Sequence, residues 1–199
     1  MGIIFDNPNF EFLKDKPEFS DFAQECIDAE NTFQKSPNAC VGACRAALEV
    51  AVKWTYARDN RFKIDAEFKH AKDKHGNPVG ILFKMIESKQ FSRAVGKKLL
   101  NSLHYVRRLG NKSLHRSPED FNWKAKPQEA LACLMGLFNF VQWIDRHYGT
   151  DYKSRTFDPK EVPIEPSKFM KILKDLGIAG LGALALIAAA LLSGDDNKR

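Results

Sequence analysis

FSDFAQECIDAENTF, residues 19–33, returns an apolar side chain at Phe19, Phe22, Ala23, Cys26, Ile27 and Phe33. Gaps of three and four are the repeat of one face of an α-helix at 3.6 residues per turn. Glu30 is the single polar member of that stripe, so the pattern places a carboxylate on the buried side. Pro17 suits the helix start, because a first-turn proline forfeits only a donor that has no helical partner. The same spacing recurs along the chain. Ser36-Pro37-Asn38 opens a second helix over about 39–58, and Pro78 a third to about 89 carrying Ile81, Leu82, Met85 and Ile86. Ser92 caps a fourth over 93–109, with Val95, Leu99, Leu103 and Val106 inward and Gly110-Asn111 ending or interrupting it. Pro127 begins a fifth, apolar from Leu131 to Trp143 and closing near Gly149. No segment alternates as a strand does. The sequence therefore predicts an all-α bundle of about five helices in residues 1–149, with an irregular N-terminal arm docked through Phe5, Phe10, Phe12 and Leu13.

Beyond that domain, Pro159, Pro163 and Pro166 mark residues 150–167 as a stiff, extended linker. It leads to LGIAGLGALALIAAALL at 176–192, an uncharged run of 17 residues. At about 1.5 Å per residue such a helix covers roughly 25 Å, and flanking apolar residues with snorkelling lysines extend its reach toward a bilayer core of about 30 Å. Residues 168–193 are accordingly expected to be a single C-terminal membrane helix followed by a polar tail, 194–199. Lysines ahead of the run place the N-terminal domain in the cytoplasm, on the inner membrane, by the positive-inside rule. Within the run, Ala179 and Ala183, and Ala185 and Ala189, stand four apart, with Gly177, Gly180 and Gly182 beside them. Small residues at that interval permit close helix–helix approach, which fits a homo-oligomer.

Charge is unevenly spread. Residues 1–57 hold 5 Lys/Arg against 9 Asp/Glu, whereas 58–116 hold 15 against 5, a local excess of +10. A basic middle segment is the electrostatic footprint of phosphate groups, in RNA, a nucleotide or anionic lipid, and equally of a solvated surface facing an acidic first helix. Cys26 and Cys133 fall on apolar helical stripes, as small buried thiols in a reducing compartment do, and Cys40 and Cys44 stand one helical turn apart. Cys40 and Cys44 lack the third ligand of a zinc pattern, so neither metal nor cofactor is expected.

The segment LHYVRRLGNKSLH, residues 103–115, carries the chemistry. Arg108 and His115 are seven apart, about 20° in direction on a continuous helix, with Asn111 between them on the same face. An arginine for phosphate, a histidine for proton transfer and an asparagine for orientation form a set able to cleave a phosphodiester without metal. Arg107, Lys112, Arg116, Lys97 and Lys98 supply the surrounding positive charge for nucleic acid. Equally, Asn111 and His115 serve a purely structural role if they tie the turn to backbone carbonyls while Arg108 pairs with Glu30 or Glu49.

Together with SPNACVGACRAALEVAVKWTYARD and EALACLMGLFNFVQWI, this segment resembles the DUF4145 family, also found near the N-terminus of type I restriction endonuclease R subunits, and is similar to the HEPN superfamily of small all-α domains. The resemblance covers roughly residues 8–149. It implies an Arg-x6-His motif in which His115 is the general base or acid, Arg108 holds the scissile phosphate, Asn111 orients them, and a ribose 2′-hydroxyl attacks. Many such domains are binding or scaffold modules instead, and the layout resembles membrane-associated HEPN accessory proteins of RNA-targeting CRISPR systems. Two functions follow as expectations: a non-catalytic sensor or assembly module of a bacterial antiviral defence or stress system, with a defence partner protein, whose oligomer acts at the membrane; or an anchored metal-independent ribonuclease. Removing residues 168–199 is expected to release the protein from membranes as a folded helical domain. Fractionation checks this, and an intact chain soluble without detergent overturns the anchor.

Overall fold

The computed structural model describes residues 8–64, 72, 80–114 and 122–162. Two 3-10 turns, Glu11–Asp15 and Pro17–Phe19, lead into α1, Ser20–Lys35, and α2, Pro37–Arg58. Three helices follow, α3 (Ile81–Glu87), α4 (Lys89–Val95) and α5 (Lys97–Leu114), and α6 spans Pro127–Tyr148. Among the described residues there is no strand, so the chain is an all-α bundle. Six helices lie among the described residues where five were expected of residues 1–149. The expected third and fourth helices resolve into three because the backbone breaks twice. Ser88 is extended (φ −58°, ψ 139°) and its Oγ accepts from the Phe91 amide, ending α3 and capping α4. Gly96 lies at φ +78°, a conformation that a side chain disfavours, and separates α4 from α5.

The apolar stripe of α1 behaves as its spacing dictates. Phe22, Cys26, Ala29 and Glu30 are fully buried, and Phe19 and Phe22 meet the Trp54 ring edge-on at about 5.5 Å. Helix α2 packs against α1, α3, α5 and α6. A helix covered on so many sides needs small side chains, and its inner positions Cys40, Cys44, Ala47 and Ala51 are fully buried. All four cysteines are buried and free, with Sγ of Cys40 and Cys44 4.0 Å apart.

Helix α5 runs unbroken to Leu114, which corrects the expected stop or interruption at Gly110-Asn111. Gly110 is buried inside the helix, and a Cβ there would lie 2.2 Å from Cβ of Arg45 on α2. The glycine is thus a packing feature that brings α5 against α2, and no bend is needed to explain it.

The N-terminal arm docks as expected: Phe10 and Leu13 are buried, and Phe12 packs partly buried, while Phe5 lies outside the described residues. Residues 150–162, in the linker marked by the prolines, run as an irregular strap against the bundle. Phe157 meets Phe138 of α6 at 5.7 Å, and Val162 is fully buried. No described helix is long and apolar enough to cross a membrane, and the run at 176–192 lies outside the described residues.

Alanine usually favours a helix interior over glycine by about 1 kcal/mol. Gly110→Ala is nevertheless expected to destabilise the domain by about 1–3 kcal/mol, because the Arg45 stem is already in contact. Gly80→Ala, where a Cβ meets nothing within 4 Å, is expected to stay within about 0.5 kcal/mol. Denaturant unfolding of both variants is the check, and equal midpoints would refute the close-approach argument.

Candidate functional site

Positions 104, 107, 108 and 111 are one face of α5 at gaps of three and four. They bring together His104, Arg107, Arg108 and Asn111, on a helix continuous from Lys97 to Leu114. Arg108 and Lys112 are exposed, and so are Lys97 and Lys98. The last two sit at the other end of the helix, about 16 Å along the axis from Arg108 at 1.5 Å per residue, so they do not share its site. His115 and Arg116 lie outside the described residues, as does the small-residue seam Gly177, Ala179, Gly180, Gly182, Ala183, Ala185 and Ala189.

Asn111 is committed. Its Oδ1 accepts from Nε of Arg45 at 2.7 Å, a charge-assisted bond in a partly buried setting. Arg45 continues to Glu49 at 3.2 Å, and Glu49 also takes Lys53 at 2.7 Å. Those two cations hold the Glu49 carboxyl below its usual range, although burial opposes them. Glu30, the other acid expected near Arg108, accepts instead from Asn9 and Phe10 of the arm. The amide of Asn111 therefore ties α5 to α2 through the Arg45 side chain, and His115, its expected companion at the turn, lies outside the described residues.

Arg107 lies half-buried, its guanidinium 4.8 Å from the centre of the Phe83 ring on α3. Its buried Nε has no hydrogen-bond partner among the described residues. Burial first, then Arg108 and Arg45, push its pKa down, while Glu87 works the other way. His104 sits beside it, Nε2 2.6 Å from Oε1 of Glu87 and its ring 6.0 Å from Phe83. Burial lowers the pKa of His104 and Glu87 raises it, with Arg107 and Arg108 adding to the lowering, so the net direction is downward. Three cationic or basic side chains, His104, Arg107 and Arg108, thus share one face of α5, with Glu87 beside His104 and Arg107.

Sequence reasoning found Arg107, Arg108 and Asn111 but passed over Arg45, Phe83, Glu87 and His104. His104 carried a usable signal, four residues ahead of Arg108 on the same face. Arg45 carried one too, as the lone charge in the run Val41–Leu48. Among the described residues no group of three or more His, Cys, Asp or Glu side chains is placed to hold a metal. No protein-family model, curated protein or solved structure matches the chain.

Asn111→Ala leaves the Nε of Arg45 without its acceptor, although Glu49 still pairs with the guanidinium, and is expected to cost about 1–2 kcal/mol in denaturant unfolding. Lys98→Ala, at an exposed position, should stay within about 0.5 kcal/mol. An Asn111→Ala protein as stable as its parent would mean that the amide is available to a ligand after all.

Proposed function

We propose that this chain is a membrane-tethered, HEPN-like helical module of a bacterial defence or stress system, non-catalytic in itself, that assembles and acts at the membrane through its apolar segment at 176–192. The observation that carries the non-catalytic part is the bond from Arg45 to Asn111. In an Arg-x6-His motif the residue between the two reactive groups should be available to orient them, whereas this one is spent on holding two helices together. The membrane part rests on the uncharged run itself and on its small residues spaced four apart. Arg107, Arg108 and Lys112 then read as a surface for an anionic signal, RNA or nucleotide, that triggers assembly.

The second reading, a metal-independent ribonuclease, is favoured by one observation. Helix α5 continues past Gly110 to Leu114, which keeps Arg108 and the residues approaching His115 on one helix. In that reading Arg108 holds the phosphate and His115 moves the proton.

Ala183→Leu combined with Ala185→Leu separates the proposal from a simple anchor. Bulk at these positions holds helices apart while making the run more hydrophobic, so membrane fractionation is expected to persist while liposome dye leakage and oligomer size fall. Unchanged leakage and oligomer size in the double variant would refute the assembly role. His115→Ala decides between the two readings: leakage should be retained under the proposal, whereas loss of an RNA-cleaving activity in this variant establishes the ribonuclease instead.

A further inference from the structure

Two carboxylates of the bundle are fully buried, Glu30 on α1 and Asp145 on α6, and both face the seam between the N-terminal arm and the strap at 150–162. They are built to the same plan. Asn9 of the arm donates to Glu30 through its backbone N–H (3.2 Å) and its Nδ2 (2.7 Å), and the Phe10 N–H adds a third bond at 3.3 Å. The same Asn9 amide grips the strap: Nδ2 donates to the Asp158 carbonyl at 3.0 Å, and Oδ1 accepts from the Asp158 N–H at 2.7 Å. At the other end Lys16 of the arm pairs with Asp145 at 2.9 Å and donates to the Asp151 carbonyl at 2.5 Å. Arg155 of the strap closes this second anchor, 3.5 Å from Asp145 and 4.1 Å from the centre of the Phe12 ring, while its N–H donates to Gln142. Each anchor thus joins an arm side chain, a buried carboxylate and a strap carbonyl.

Neither segment keeps its partners without the other. If the strap leaves, Asn9 and Lys16 each lose an acceptor; if the arm leaves, Glu30 loses three donors and Asp145 its lysine. We propose that the arm and the strap are one cooperative latch, and that its opening is coupled to ionisation of Glu30, so that rising pH loosens the strap ahead of the chain's C-terminal segment. This inference is independent of the function proposed above.

The charge around Glu30 sets the direction. Asn9 and Phe10 face it from the arm, Glu161 from the strap, and the thiols of Cys26 and Cys40 from α1 and α2. Among the described residues no Lys or Arg pairs with it. Asp158 lies beside Glu161 and raises it in turn. Burial, more than the Glu161 charge, pushes Glu30 up to about 7 despite its three hydrogen bonds. With the latch open the carboxyl meets water and returns toward its ordinary 4.5. The closed form therefore holds more protons between these values. The contribution of Glu30 to closure is therefore full below about 4.5 and is lost as pH rises through 7.

Hydrogen exchange on the full chain at pH 6 and pH 8, corrected for intrinsic rates, reads the latch through the amides of Arg155, Asp158 and Glu161. From pH 6 to 8 their protection is expected to fall about tenfold, the factor that linkage between 4.5 and 7 implies, with α2 and α6 unchanged. Glu30→Gln should flatten that response to less than twofold. Asn9→Ala should strip protection from the strap at both pH values and leave the bundle intact. The proposal fails if wild-type strap protection is the same at both pH values, if Glu30→Gln keeps the tenfold response, if Asn9→Ala leaves the strap protected, or if strap and bundle lose protection together. Should Glu30→Gln not fold, the wild-type profile and Asn9→Ala decide between these outcomes.

Discussion

A helix enclosed by others must be thin, and α2 is the element on which that constraint falls. Leu48 apart, its buried positions from Cys40 to Val52 are glycine, cysteine, alanine and valine, which let α1, α5 and α6 pack closely around it. Where a long side chain does point into a helix contact, the opposite helix gives way: Arg45 lies against Gly110, and its Nε then reaches Asn111 one residue on. One missing side chain and one hydrogen bond thus set the close approach of α5 to α2 around Gly110, beside the apolar packing of Leu103 and Val106.

Polar groups inside the bundle are few, and they are concentrated at its seams. Helix α5 carries Arg107 and His104 into a partly desolvated strip beside Phe83, where a ring face and Glu87 moderate the cations. Asp59 anchors the end of α2 in a similar way. It takes Arg61 at 2.6 Å and the Tyr148 hydroxyl at 2.7 Å, and the Arg61 bonds hold its carboxyl well below the ordinary range. That pattern concentrates electrostatic sensitivity in the connections between helices and leaves the helix-to-helix core apolar.

Much of this architecture is legible in the sequence because apolar periodicity is a local signal. Phe19, Phe22, Cys26 and Phe33 specify α1, and Pro127 with the run to Trp143 specifies α6. Glu30 stood out as a carboxylate in an apolar stripe, and the structure supplies its partners from the arm. What was not legible depends on distant chain. Gly110 reads as a helix end because glycine usually marks one; only the presence of Arg45 across the contact makes it an interior residue. Ser88 and Gly96 divide the two expected helices into three through backbone angles that periodicity does not encode. Residues 150–162 look like a free linker by composition, whereas their docking depends on Asn9 and Lys16 near the other end of the chain. For the site, Arg107, Arg108 and Asn111 follow from spacing on one helix, but the part played by Phe83 and Glu87 requires knowing how α3 lies on α5.

The partners in the seam are separated by most of the chain: Asn9 meets Asp158 across 149 positions, and Lys16 meets Asp145 across 129. At a translation rate of about 5–20 residues per second, the arm leaves the ribosome roughly 7–30 s before the backbone that completes its contacts. During that interval α1 can assemble with α2, whose pairing is local, while Asn9 and Lys16 of the arm still lack their strap acceptors. The nascent protein thus passes through a stage in which its helices are largely built but its edge is open. The strap that closes this edge is made last, so the final contacts of the domain form only after α6 and residues 150–162 have been synthesised.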